Sequence, residues 1–419
     1  MSRVRYMYHP RSSVIAMATA FTSAIIATSA HAFKYALPSP QQRRCFARLG
    51  LHPPRRRLSF SALHHSMCSS PNAIAPDPSR NRFHAPIVYH PNYSFSGWPG
   101  SHTFPMDKFA AIAGALTTRD RKFSKLPRPL VRSYDDFFRP LEGCDVPRSW
   151  MASPTGPIDA AFLDCFLSGD LDSEHCRRIG FREHTSRPEL IERTVLEVAG
   201  TVLASQLSYQ WGISSNVAGG THHARPWGGA GYTILNDLAV AANFLTDERV
   251  NGGTVKGIRR VLVIDCDVHQ GDGTAKFDEL HRSNRLHTLS LHCESNYPHP
   301  KAQSTYDVGL RDGMEDEEYL GTLKGSVARA VDEVKPDFVL YDAGVDVYKD
   351  DTLGRISLSE DGIRARDRYV LETCVDAGIP VAAVVGGGYD KDLRALGRRH
   401  AIVHEECAYV WRKHRMWER

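Results

Sequence analysis

Asp265, Asp267 and His269 occupy alternate positions in the run VLVIDCDVHQGDG, residues 261–273. In an extended segment alternate side chains share a face, so two carboxylates and an imidazole can converge on one point. The apolar residues Val261, Leu262, Val263 and Ile264 read as a strand buried on both faces of a parallel sheet. Groups that follow the carboxyl end of such a strand lie where open α/β sheets bind ligands. A D-x-D alone is often a turn capping a helix, and a His beside it a structural residue, so further groups are needed.

Two more strand ends or loops supply them. Residues 338–341 form an apolar strand ending in DAGVD, which contains Asp346, and residues 381–385 form another, ending in GGGY, which contains Tyr389. A divalent ion held by Asp267, His269 and Asp346 would keep an open position, as a catalytic zinc site does. Such an ion lowers the pKa of water from about 15.7 to roughly 7. His222 and His223 are adjacent in the Gly-rich loop of residues 216–237 and sit too close together to share one metal. They suit acid/base work, with Asp265 and Asp272 each able to orient one imidazole and fix its tautomer. The Tyr389 phenol could donate to a developing oxyanion. Taken singly, the His pair reads as a solvated loop and GGGY as a tight turn with a packing Tyr. VVGGGYD lacks the G-x-G-x-x-G spacing of a nucleotide fingerprint.

These groups need a scaffold that brings strand ends together. The helical spacing of Leu320, Leu323, Val327, Val331 and Val334 gives an amphipathic helix before the strand at 338–341. A second helix starts at the Ser359 cap and stops near Gly378, and a terminal helix runs to about Trp411. Upstream, APIVYHPNY (85–93) gives a short apolar strand, and 109–116 and 158–167 read as helices. Residues 189–209 read as a long helix with Leu190, Val195, Val198, Val202 and Leu207 on one side, 235–245 as a further helix, and 286–291 as a strand. Apolar strands alternating with amphipathic helices predict one large α/β domain over residues 85–415, with a central, mostly parallel sheet flanked by helices.

The nine cysteines are scattered, odd in number and form no C-x-x-C, so neither a cysteine zinc site nor a disulfide framework is indicated. Cys266 alternates away from the aspartates and reads as a packing residue. The net charge of +4 conceals an imbalance, because residues 1–76 carry ten Lys and Arg and no acid, leaving −6 for the rest. A mildly acidic main body argues against direct nucleic-acid binding. Residues 1–32, with a basic start, a diluted apolar run and an A-x-A site, resemble a signal peptide rather than a membrane span, and residues 33–80 are transit-like. Residues 1–80 are expected to be a disordered targeting leader, for a plastid first and a mitochondrion second. Without a working leader, the nucleus or cytoplasm is expected.

GGTHHA (219–224), DCDVHQGDG (265–273), AGVD (343–346) and GGGYD (386–390) together resemble the zinc-dependent histone deacetylase superfamily, in its order. HPNYSF (90–95) and HTFPMDKF (102–109) resemble its amino-terminal segment, so the likeness covers about 330 residues. The resemblance implies the arginase/deacetylase fold and zinc, with Fe²⁺ as the alternative, on Asp267, His269 and Asp346. It implies His222 paired with Asp265, His223 as general base beside Asp272, and Tyr389 polarising the amide carbonyl. Tyr232, Tyr297 and Gly387 would line the channel for the acyl-lysine stem. A structural K⁺ would sit on Asp265, Asp267, His269, Ser290 and main-chain oxygens.

Gln270, where many members carry a second His, points to class IV-like and bacterial branches, and residues 152–170 match the family's rim segment only loosely. The implied activity is hydrolysis of acyl-lysine, most directly acetyl-lysine, in a protein or peptide. Alternatives are a small acetylated amine of the acetylpolyamine type, a long-chain acyl-lysine, or a binding module without turnover. The intact ligands, bases and Tyr speak against the last of these. An arginase-type two-metal hydrolase would need a second aspartate-rich cluster, which the sequence does not display.

Overall fold

The computed structural model describes residues 76–118, 129–280 and 284–418. The expected leader lies almost wholly outside them. Among the described residues no helix is long and apolar enough to cross a membrane.

Seven strands form one sheet: β1 (Ile87–Val88), β2 (Ile213–Asn216), β3 (Val261–Asp265), β4 (Leu286–Cys293), β5 (Tyr306–Leu310), β6 (Phe338–Asp342) and β7 (Val381–Val384). Every pairing is parallel, in the order β1-β2-β7-β6-β3-β4-β5. From β3 the chain moves outward to β4 and β5, then returns to place β6 on the opposite side of β3. The order therefore reverses between β3 and β6, and the crevice beyond their carboxyl ends is the position where such sheets take ligands. Register brings Asp265 level with Ser290 on one side and with Asp342 on the other.

Alternation along each strand feeds two cores. Val261, Val263, Phe338, Leu340, Ala382 and Val384 pack into the layer containing the helices Lys108–Thr117, Pro188–Trp211 and Asp237–Thr246. Leu262, Ile264, Val339, Tyr341, Val381 and Ala383 pack into the layer of Asp316–Val334, Glu360–Asp376 and much of Leu393–Lys413. Cys266 joins the second core, as its alternation predicts. Asp265 has the parity of Val261 and Val263 and so faces the first layer, from which the histidine loop descends.

Four features depart from the sequence reading. The helix Pro188–Trp211 is buried on nearly every side, including Arg193, Glu197 and Thr201, because it is wedged between the sheet and the amino-terminal layer. β2 reads ISSN and carries no apolar signal. Its polar side chains are buried because each finds a partner: Ser214 Oγ donates to the Ala204 carbonyl (2.6 Å), Ser215 pairs with His404 (2.7 Å), and Asn216 accepts from Tyr93 (3.1 Å). β5 is an edge strand with alternating exposure and was equally hard to recognise. The packed body also begins before residue 85: Trp411 Nε1 donates to the Asn81 carbonyl (2.7 Å) and Arg412 to that of Phe83 (2.7 Å).

Candidate active site

The loop after β3 and the loop after β6 meet across the crevice. His269 Nδ1 lies 3.1 Å from Asp267 Oδ1 and 3.2 Å from Asp346 Oδ2. One ligand atom from each of Asp267, His269 and Asp346 lies within 4.8 Å of the others, and all three residues are buried. Backbone amides orient the carboxylates: Gly387 N–H donates to Asp267 Oδ2 (2.7 Å), His269 N–H to Asp267 Oδ1 (2.9 Å) and Val268 N–H to Asp346 Oδ1 (2.9 Å).

The donor set fits a divalent ion. Asp346 Oδ2 is buried without a hydrogen bond. Burial, then the Asp267 charge, raise the Asp346 pKa, while burial opposes and Asp267 and Asp346 outweigh it to lift His269 to about 9. Close-packed negative charge that attracts a proton in this way is what a cation would neutralise.

The two histidines stand beside this point with opposite electrostatics. His222 Nδ1 pairs with Asp265 Oδ2 (2.8 Å), and His223 Nδ1 with Asp272 Oδ1 (2.7 Å). Arg225 donates to the other Asp272 oxygen (2.7 Å). Burial works against a charged His222, yet Asp265 and then Asp267 raise its pKa well above the ordinary value. Burial and then the neighbouring His222 hold His223 down at about 4. Two adjacent imidazoles are thus split into a cation and a neutral base.

The loop carrying them is fixed by Asp237, a residue that sequence reasoning missed. Its carboxylate accepts from Gly220 N (3.1 Å), Thr221 N (2.8 Å) and Thr201 Oγ1 (2.6 Å). Gly220 has φ +84, and a Cβ there would stand 2.7 Å from the Asp342 carboxylate. Asp342 was also missed, although it stands in the DAGVD run. It is fully buried, both its oxygens lack hydrogen bonds, and Oδ2 is 3.8 Å from His222 Nδ1. Burial, then Asp265, raise its pKa well above the carboxylate range. His222, Asp265 and Asp342 form a second group of close ligand-type atoms.

Tyr389 is buried, its ring 6.5 Å from that of His269 and nearly perpendicular to it. Burial, then Asp346 and Asp267, raise its pKa, which keeps the phenol a donor. Its backbone is clamped on both sides, the N–H donating to Asp351 (2.7 Å) and the carbonyl accepting from Thr352 (3.0 Å). Gly387 lines the pocket, and a Cβ on it would lie 2.2 Å from Asp346 Oδ2 and 2.6 Å from Asp267 Oδ2. It therefore bears on Asp267 and Asp346 as well as on the pocket wall.

Tyr232 lines the pocket and stacks on Phe181 at 5.7 Å. Tyr297, 39% exposed, stands edge-on to His223 at 4.8 Å. Ser290 is buried opposite Asp265, its hydroxyl paired with His292 (3.0 Å). Gln270 is a structural tie: its side chain bonds to Ala302 N and O (2.7 and 2.9 Å) and to Asp307 (2.7 Å).

An open parallel sheet with this crevice defines an α/β protein of the arginase/deacetylase fold. In a solved structure, the HDA15 HD domain, the same fold is matched with a TM-score of 0.51 at 19% identity, over 76% of this chain and 89% of that one. The family model for the histone deacetylase domain matches residues 167–405. An uncharacterised protein of Picosynechococcus sp. is 37% identical over 327 residues, 78% of this chain and 99% of its own length. Histone deacetylase 2 of Arabidopsis thaliana is 32% identical over 48% of this chain and 52% of its own. Histone deacetylase clr6 of Schizosaccharomyces pombe is 33% identical over 42% and 43%. The chain belongs to the histone deacetylase family.

Proposed function

We propose that the protein is a zinc-dependent hydrolase that removes acyl groups, most directly acetyl, from lysine side chains of proteins or peptides. The observation that carries this reading is the convergence of Asp267, His269 and Asp346, with a neutral His223 and the Tyr389 phenol beside them. Zinc, or Fe²⁺ in its place, would be held by those three residues, and K⁺ by the Asp265 and Ser290 neighbourhood. When bound, the divalent ion polarises the amide carbonyl and acidifies water.

The chain's own groups do the rest. The Asp272 carboxylate accepts a hydrogen bond from His223 Nδ1–H, leaving Nε2 free to take a proton from water as its oxygen adds to the carbonyl carbon. Tyr389 donates to the carbonyl oxygen as negative charge develops there. His222, held cationic by Asp265, adds positive potential on the same side. As the C–N bond breaks, His223 returns its proton to the leaving lysine amine.

The test is turnover of an acetyl-lysine peptide by the zinc-loaded full chain. His223→Ala is expected to lower kcat by roughly 10² to 10⁴, and Tyr389→Phe by about 10² to 10³, with circular dichroism unchanged. Full activity in either variant removes the mechanism. We further propose that residues 1–80, acid-free as far as Pro76, deliver the protein to a plastid. A fluorescent fusion of this segment that stays out of plastids in plastid-bearing cells contradicts that.

A further inference from the structure

The inner end of the pocket holds a cation that the hydrolysis above does not use. Lys108 is 2% exposed, and among the described residues no carboxylate lies within ion-pair distance of it. Its Nζ donates to the Gly386 carbonyl (2.8 Å), one bond for a group with three donors. Three rings surround it, Phe104 at 5.4 Å, Phe109 at 5.3 Å and Tyr389 at 6.0 Å. The neighbouring Arg193 is already matched by Glu197 at 3.0 Å. Burial lowers the Lys108 pKa to about 8, which still leaves an ammonium at neutral pH. Aromatic faces offset part of the cost of burying such a charge, and a counter-ion would offset more.

The wall that Lys108 shares shows where a counter-ion could come from. One pocket is lined by Tyr232, Asp267, His269 and Tyr389 and also by Phe104, Phe109 and Lys108. An amide seated at Asp267 and His269 with its lysine stem passing Tyr232 would turn its acyl substituent toward the phenyl rings and Lys108 on the shared wall. We propose that Lys108 is a specificity-determining residue for acyl groups ending in a carboxylate, the malonyl and succinyl type. Phe104 and Phe109 flank the methylenes and Nζ pairs with the terminal carboxylate. This rests on the deacylase reading above. Water is the only co-reactant: its oxygen ends on the acyl carbon, the C–N bond breaks, and the products are a free lysine amine and a dicarboxylate.

The zinc-loaded full chain is assayed with one peptide carrying acetyl-, butyryl-, malonyl- or succinyl-lysine. Butyryl and succinyl have the same number of carbons and differ in the terminal charge. The expected kcat/KM for succinyl or malonyl exceeds that for butyryl by on the order of 10- to 100-fold. In Lys108→Met the ratio falls below one. A ratio within one variant cancels any loss of folded enzyme. Acetyl turnover with butyryl equal to or better than both acidic groups overturns the proposal, as does a ratio unchanged in Lys108→Met, which would leave Lys108 only balancing the charge of Asp267 and Asp346. No turnover of any of the four peptides defeats the deacylase reading itself, and this proposal with it.

Discussion

His222 and His223 are chemically identical neighbours, and their carboxylate partners and shared burial make them different reagents. His223, the proposed proton acceptor, is held at about 4 by burial and by the neighbouring His222. Only a neutral imidazole is a base, so activity is lost as pH falls through that value, not through the ordinary histidine range near 6.5. For the zinc-loaded enzyme, kcat/KM on an acetyl-lysine peptide is therefore expected to stay level from about pH 7 down to about pH 5. An acid limb near 6.5 would mean that His223 is not the base, or that its surroundings differ from these. Residues inside a short run, such as Asp265, Asp267 and His269, could be read directly, because two-residue periodicity aims them. Asp237, Asp342 and Lys108 could not, since each acts through contacts made only by folding. Lys108 meets the Gly386 carbonyl across 278 positions of chain.

At the scale of elements, the site is a meeting of four loops whose spacing is set by backbone as much as by side chains. Gly387 N–H donates to the Asp267 carboxylate, and its missing Cβ leaves room for Asp267 and Asp346 together. Gly387→Ala is thus expected to push Asp267 and Asp346 apart and reduce zinc bound per chain from one toward none, measured by elemental analysis after dialysis, with helix content retained. One tightly held zinc in that variant would show that the loop yields without cost. β3, β6 and β7 were legible because both faces of each are buried and the residues are continuously apolar. The helix Asp316–Val334 was legible because one face alone is buried. β2 was not, because its burial is satisfied by hydrogen bonds to Ala204, His404 and Tyr93 rather than by apolar composition.

For the whole molecule, the sheet order puts the reversal point, and so the site, between β3 and β6, near the middle of the sheet. The terminal helix closes the body by holding the chain at Asn81 and Phe83. A chain starting at Pro76 is expected to melt with the full-length protein. One starting at Ala85 leaves the buried Trp411 N–H without its acceptor, at roughly 1–3 kcal/mol, and should melt several degrees lower. Equal melting of the two truncated chains would place the boundary after Phe83 instead.

The central claim is that distant carboxylates and an imidazole share one divalent ion. Anomalous diffraction at the zinc edge, from crystals of the full chain grown with zinc, tests it most directly. A zinc peak is expected at about 2.0–2.2 Å from atoms of Asp267, His269 and Asp346 together. A zinc bound elsewhere while those three side chains are ordered and empty would contradict it.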